Sequence, residues 1–398
     1  MDLTIYPRKL SGTIRAIPSK SQAHRLLICA AFSDAPTKLC CPETNQDIEA
    51  TAGCLRALGA GIDRTTEGYY VIPAQTIPTT AEMDCCESGS TLRFILPIVC
   101  ALGVETTIHM SGRLPYRPLS PLWEELERMG CTLTRPAEST IHTSGQLIPG
   151  LYTIAGNVSS QFISGLLFAL SLLNGESQLN VTEKTESKSY ITMTQQALSL
   201  FDVDTSDYQI TGSFPFHSPK EITVEGDWSN GAFFLTAAAL GSNINVENLD
   251  INSPQGDRVI TDILSMDSNL PEISAANIPD LIPILAVYFA ANNGAQFTDI
   301  ARLRLKESDR VETVIRLLRS FGIRAEATDT TLRVNSGKFT GGIVNSYGDH
   351  RIAMTAAIAA TIADGPVTIL GAECVAKSYP TFWQVYQQLG GNYEQYIR

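Results

Sequence analysis

The residues of this chain best suited to chemistry are cations and hydroxyls gathered in short turn-like segments. The densest is RLRLKESDR, which sets Arg302, Arg304, Lys306, Glu307, Asp309 and Arg310 within nine residues. Alone it reads as a solvated helix start laced with ion pairs. It has counterparts, however. PSKSQAHR puts Lys20 and Ser21 just ahead of a helix with Arg25 about one turn further on, so that a point charge and a guanidinium fork can address one multiply charged ligand. GRLPYRPLSPL holds Arg113 and Arg117 in a loop stiffened by proline, GDHRIAM carries His350 and Arg351, and CVAKSYP carries Lys377. ESGSTLRF enters a helix through Gly89, Ser90, Thr91 and Arg93, with Gly89 allowing close approach of a backbone N–H to a ligand. VSSQFIS and ESKSYITMT add Ser159, Ser160, Gln161, Lys188 and Tyr190, a set suited to a polyhydroxylated, phosphorylated molecule. IPDLIPILA opens an apolar helix with Asp280, whose ordinary role is an N-cap.

These segments recur at one place in a repeated pattern. Polar clusters lead into apolar stretches of helical length at 20–31, 88–101, 159–173, 227–240, 280–291 and 350–362. A β-like run rich in Val, Ile and Thr follows several of them, as at 105–110, 177–182, 243–249 and 366–370, and a further strand is expected at 322–328. Each unit closes on an amphipathic helix with a stop such as LRALGAG, LERMGC, LSLFDV, ILSMDS, LLRSFGI or VYQQLGG, and the stops fall roughly 55 to 70 residues apart. Six α/β units divide as three and three. The apolar helices lack a polar face and are expected to be buried, with the amphipathic helices outside against sheets. Helix N-termini offer unpaired N–H groups and the positive end of the helix dipole, so several of them converging would trap phosphate and carboxylate groups.

Composition bounds the reading. At 398 residues two domains are expected. A net charge of −12 argues against nucleic acid as the partner, while an acidic exterior around a basic cleft would focus small anions into it. The longest apolar runs fall short of the roughly 18 residues a membrane span requires, and MDLTIYPRKLSG has no signal core, so no membrane association and a soluble cytoplasmic protein are expected. The nine cysteines show no zinc-site spacing and read as reduced thiols.

Taken in order from Pro18 to Pro380, these segments resemble the EPSP synthase (5-enolpyruvylshikimate-3-phosphate synthase) family. The resemblance implies a two-domain inside-out α/β barrel, each domain built of three βαβαββ-type units. It places one domain at 19–224 and the other at 1–18 plus 225–398, with a two-strand hinge near 18–19 and 224–226. It implies that Lys20, Ser21, Arg25, Ser159, Ser160, Gln161, Tyr190, Asp280 and Lys306 bind shikimate-3-phosphate. Phosphoenolpyruvate falls to Lys20, Gly89, Arg117, Gln161, Arg310, Arg351 and Lys377. The family transfers an enolpyruvyl group to the 5-hydroxyl through a tetrahedral intermediate and expels phosphate, which needs an acid and a base across the new bond. Asp280 is the implied base and Glu307 the implied proton donor, with Lys20 the rival for either role. No metal or organic cofactor is implied, a monomer is expected, and domain closure would assemble the site. ESGSTLRF departs from the family's Asn-Ala-Gly-Thr-Ala-Met-Arg-Pro type of loop, with Phe94 in place of proline, and Arg302 stands where asparagine is common. Retention of Gly89 implies that glyphosate competes with phosphoenolpyruvate. The sister transferase acting on UDP-N-acetylglucosamine fits less well, because Lys20 is followed by Ser21 rather than asparagine and the loop at 112–118 has no cysteine. A non-catalytic anion binder would not need both Asp280 and Glu307.

Overall fold

Six segments with no polar face must be covered on every side, and the structure covers them with sheets and amphipathic helices. The computed structural model describes residues 1–266 and 270–396. The chain divides into two compact units, Pro18–Glu225 and Met1–Ile17 with Gly226–Arg398. Pro18–Glu225 carries α1 (Lys20–Ala31), α2 (Gln46–Ala57), α3 (Gly89–Leu102), α4 (Leu122–Arg128), α5 (Ser160–Leu172) and α6 (Lys188–Ser199). The other unit carries α7 (Trp228–Ala239), α8 (Ile260–Leu264), α9 (Ile282–Ala291), α10 (Arg310–Ser320), α11 (His350–Ala360) and α12 (Phe382–Gln388). The apolar helices are α1, α3, α5, α7, α9 and α11. Every residue of α11 is buried, and α7, α9 and α11 pack against one another. Each unit therefore has helices inside and sheets outside, an inside-out α/β arrangement.

Sheet pairing follows one rule with one exchange. The strand before a central helix pairs in parallel with the strand after it: Thr80–Asp84 with Glu105–His109 around α3, Leu151–Ala155 with Glu176–Thr182 around α5, Glu272–Ser274 with Ala295–Thr298 around α9, and Gly342–Asn345 with Val367–Leu370 around α11. Around α1 and α7 the preceding strands are traded. Ser11–Arg15 precedes α1 but pairs with Asn243–Glu247 after α7, and Glu221–Thr223 precedes α7 but pairs with Thr37–Cys40 after α1. This exchange is why the chain passes between units twice. The N-terminal run forms Asp2–Tyr6, which lies antiparallel between Val367–Leu370 and Asn392–Tyr396.

Local chemistry sets the helix ends on which the site depends. Ser19, Ser88, Ser159, Asp227, Asp309 and Asp349 each cap a helix by accepting a backbone N–H of its first turn. In α10, Val311, Val314, Leu317 and Leu318 are buried, each such side chain contributing ~1.5–3 kcal/mol of burial. The strand expected at 322–328 shortens to Ala325–Ala327, because Gly322 at φ 79° ends α10 and the Ile323 N–H turns back to the Leu318 carbonyl at 2.9 Å. Of the ILSMDS stop, Asp267 and Ser268 lie outside the described residues. Helices α3 and α5 approach closely at Gly165, where a Cβ would lie 2.1 Å from the Arg93 carbonyl oxygen and 2.9 Å from Pro97 Cγ. Among the described residues no helix is long and apolar enough to cross a membrane.

Candidate active site

In Pro18–Glu225 the candidate residues gather at the N-terminal ends of α1, α3, α5 and α6. Lys20, the first residue of α1, pairs its Nζ with Asp47 of α2 at 2.8 Å, and both side chains are largely buried. Arg25 is almost wholly buried and ties three helices together. Its Nε donates to Thr194 Oγ1 at 2.8 Å, Nη1 to the Ser21 carbonyl at 2.6 Å and Nη2 to the Tyr190 carbonyl at 2.9 Å, while the guanidinium lies 5.1 Å from the Phe94 ring centroid. Burial lowers its pKa to about 10, which leaves it charged at neutral pH. Arg93 donates to Gln161 Oε1 at 3.0 Å and to the Pro118 carbonyl at 3.2 Å, and Gln161 Nε2 donates on to Ser90 Oγ at 2.8 Å. Gly89 sits under two guanidinium groups, since a Cβ there would come within 2.6 Å of Arg117 Nη1 and 2.7 Å of Arg93 Nη1. Ser159 Oγ accepts the Gln161 N–H at 3.3 Å, and Ser160 is buried in the first turn of α5.

The second cluster lies in the other unit and is built around Arg310, the first residue of α10, whose side chain is 1% exposed. All three faces of its guanidinium meet carboxylates: Nε meets Asp349 Oδ2 at 2.9 Å, Nη1 Asp280 Oδ1 at 2.7 Å, and Nη2 Glu307 Oε2 at 2.7 Å. Arg351, in the first turn of α11, reaches Asp280 Oδ2 at 2.9 Å, and Lys306 Nζ lies 3.9 Å from Asp280 Oδ1. Burial alone would push the Asp280 carboxyl up, but Arg351, Lys306 and Arg310 outweigh it and hold the group far below the usual carboxylate range. Burial lowers the Lys306 ammonium to about 8, with Asp280 opposing and Arg310 and Arg302 adding to the shift. Burial also disfavours charge on Arg310, yet Asp349, Glu307 and Asp280 raise its pKa well above normal. Lys377 ends the 3-10 turn Ala372–Lys377, which packs against α11, and is buried.

The cap expected of Asp280 is not made. Helix α9 begins two residues later with no side-chain cap bond, and the carboxylate is committed to Arg310 and Arg351 instead. Gly89, Arg117 and Gln161 are brought together, as are Arg25 and Tyr190. Asp280, Lys306, Glu307, Arg310 and Arg351 form one contiguous ion cluster. Three residues of these networks fall outside the sequence-level site. Arg93 was visible only as a basic residue near a helix start. Asp47 reads as an ordinary acid in a first turn, and Asp349 as an ordinary cap. Each has a common structural role that accounts for its type, so the second role left no mark. Among the described residues no group of three or more His, Cys, Asp or Glu could hold a metal ion.

The chain is 36% identical over 419 aligned positions to 3-phosphoshikimate 1-carboxyvinyltransferase of Clostridium kluyveri, covering 99% of this chain and 98% of that protein. It is 37% identical to the enzyme of the same name from Clostridium acetobutylicum, covering 98% of each. Among solved structures, EPSP synthase from Acinetobacter baumannii superposes with a TM-score of 0.79 at 25% identity, covering 99% of this chain and 100% of that one. Residues 5–386 match the family model described as EPSP synthase (3-phosphoshikimate 1-carboxyvinyltransferase), and the chain belongs to that family.

Proposed function

We propose that this protein transfers the enolpyruvyl group of phosphoenolpyruvate to the 5-hydroxyl of shikimate-3-phosphate, releasing phosphate, as the step of the shikimate pathway that leads towards chorismate and the aromatic amino acids. The observation that carries this reading is the Arg310 cluster, in which two carboxylates able to move protons, Asp280 and Glu307, have as counter-cations the guanidinium groups of Arg310 and Arg351 that suit an anionic substrate. In this reading Lys20, Gly89, Arg117, Gln161, Arg310, Arg351 and Lys377 receive phosphoenolpyruvate. Lys20, Ser21, Arg25, Ser159, Ser160, Gln161, Tyr190, Asp280 and Lys306 receive shikimate-3-phosphate. The enzyme works as a cytoplasmic monomer.

The 5-hydroxyl oxygen bonds to C2 of phosphoenolpyruvate while its proton passes to Asp280, and C3 takes a proton from Glu307. C2 becomes tetrahedral and bears both oxygens. The return of a C3 proton to Glu307 rebuilds the double bond as the C2–O bond to phosphate breaks; the phosphate leaves with the electron pair and takes up the proton held by Asp280, which restores both carboxyl groups. Proton donor and acceptor each contribute typically ~10²–10⁴-fold, and the cations stabilise charge as it shifts from carboxylate and phosphate to the leaving group. Asp280 is a poor base while Arg310 and Arg351 hold it. An incoming phosphate or carboxylate that takes over those guanidinium groups raises its proton affinity, so basicity develops as substrate binds. Lys20, paired with Asp47, remains the rival proton carrier.

The test is phosphate release from phosphoenolpyruvate. Release that depends on added shikimate-3-phosphate, and that drops by at least ~10²-fold in Asp280→Asn and Glu307→Gln, is the expected result. Release driven by UDP-N-acetylglucosamine instead, or none with either acceptor, sinks the reading.

A further inference from the structure

Four buried polar side chains in Pro18–Glu225 sit in the helices that carry the candidate site and have no part in the mechanism above. His24 of α1, Thr51 of α2, Thr91 of α3 and Ser88, the cap of α3, are each at most 1% exposed. They form one chain of short hydrogen bonds. His24 Nδ1 lies 2.6 Å from Thr51 Oγ1, Thr51 Oγ1 lies 2.7 Å from Thr91 Oγ1, and Thr91 Oγ1 lies 2.7 Å from Ser88 Oγ. Ser88 Oγ also accepts the Thr91 N–H at 3.3 Å, and Thr91 Oγ1 approaches the Asp47 carbonyl oxygen at 3.4 Å.

Each hydroxyl has one proton to donate, and this sets the direction of the chain. Thr91 donates to Ser88, so it accepts from Thr51; Thr51 must then accept from the ring, and the proton of His24 is on Nδ1. Nε2 is a bare lone pair with no hydrogen-bond partner among the described residues. A buried imidazole with one unsatisfied nitrogen costs stability, where an apolar side chain would leave nothing unsatisfied. Burial holds the ring down at about 3, so it stays neutral and the chain keeps one direction across the pH range in which enzymes work.

Spacing ties this chain to the site. His24 comes four residues after Lys20 in α1, Thr51 four residues after Asp47 in α2, and Thr91 two residues after Gly89 in α3. Residues four apart share a helix face. The hydrogen bonds therefore join, one turn further in, the same three helices whose first turns hold the Lys20–Asp47 pair and Gly89.

We propose that Thr91 is a positioning residue for phosphoenolpyruvate, through which His24 and Thr51 fix the start of α3, and Gly89 with it, against α1 and α2. No proton passes along the chain to substrate. The inference rests on the assignment of Lys20 and Gly89 to phosphoenolpyruvate.

The experiment compares the full-length enzyme with Thr91→Val, close in shape but without the hydroxyl, and Thr91→Ser, which keeps it. Thr91→Val raises KM for phosphoenolpyruvate ~3- to 10-fold, the size expected of one buried hydrogen bond, while kcat and KM for shikimate-3-phosphate stay within ~2-fold. Thr91→Ser stays near wild type in all three. A hydroxyl that served folding alone would lower the urea midpoint of Thr91→Val without splitting the two KM values. Thr51→Val cuts the chain but spares the Ser88 cap, and it gives the same split at smaller size should Thr91→Val fail to fold. Hydrogen exchange puts the question without turnover: amides at 88–93 exchange faster in Thr91→Val, or in Thr51→Val, while those of α5 do not change. Equal shifts in both KM values, a Thr91→Ser enzyme as impaired as Thr91→Val, or unaltered exchange at the start of α3 overturns the proposal. Failure of the functional reading looks different, since no variant would then release phosphate with shikimate-3-phosphate, yet exchange at the start of α3 would still respond.

Discussion

The two basic clusters hold their arginines by different means. In Pro18–Glu225 Arg25 donates to two carbonyls and a hydroxyl, all neutral. In the other unit, three carboxylates surround Arg310 and one of them also takes Arg351. Arg25 therefore carries its charge without a carboxylate bonded to it, while Lys20 in the same unit is paired with Asp47. The second cluster is compensated, and an anion entering it must displace carboxylates that then become free to move protons. One half reads as a binding surface and the other as a reactive one, from the partners of the arginines alone.

The largest expected effect tests that difference. Arg310→Met strands Asp349, Asp280 and Glu307 around a vacated position and costs ~3–5 kcal/mol of stability, along with activity. Arg25→Met leaves only neutral acceptors unsatisfied and costs ~1–3 kcal/mol. Urea unfolding followed by hydrogen exchange in each unit measures both. The Arg310→Met deficit shrinks on mild acidification, because neutral carboxyls no longer need the cation, whereas the Arg25→Met deficit does not. Equal costs with equal pH dependence would erase the contrast.

A smaller effect separates binding from folding within Pro18–Glu225. Gly89→Ala pushes on the guanidinium ends of Arg117 and Arg93, which can swing aside, so stability changes by less than ~1 kcal/mol. Moving those charges raises KM for phosphoenolpyruvate ~10-fold, equivalent to ~1.4 kcal/mol. Gly165→Ala meets the Arg93 backbone and Pro97, which cannot yield, and costs ~1–3 kcal/mol of stability. Steady-state kinetics beside thermal unfolding decides the matter, and a Gly89→Ala enzyme with unaltered KM would mean that Arg117 does not serve phosphoenolpyruvate.

Legibility followed the range of the interactions. The six central helices could be read because a segment apolar on all sides has one physical solution, and their caps because Ser or Asp bonds an N–H two or three residues on. The exchange of strands around α1 and α7 could not. Ser11–Arg15 pairs with Asn243–Glu247 more than two hundred residues away, and Glu221–Thr223 is too short to carry an alternation. Asp280 shows the same limit within the site. A capping residue is its local reading, and only the tertiary approach of Arg310 and Arg351 turns it into a shared counter-ion.

The smallest expected effect concerns Lys306, where the compensated cluster should betray itself by titrating. Burial holds this ammonium near 8, below the ordinary 10.5, while Arg25, with its neutral partners, stays charged to about 10. A substrate phosphate that relies on Lys306 loses its partner as pH rises through about 8, so KM for shikimate-3-phosphate climbs by up to ~10-fold per pH unit beyond it. The sign for stability is opposite. Because the folded value is depressed, the unfolded chain binds more protons between about 8 and 10.5, and this group makes folding more favourable as pH rises through that window. Weakened binding there is thus not the onset of unfolding, and urea midpoints at either end of the window check the point. Lys306→Arg, charged throughout, moves the alkaline rise in KM upward. An unmoved rise would assign the titration to another group and leave the two clusters alike in their response to base.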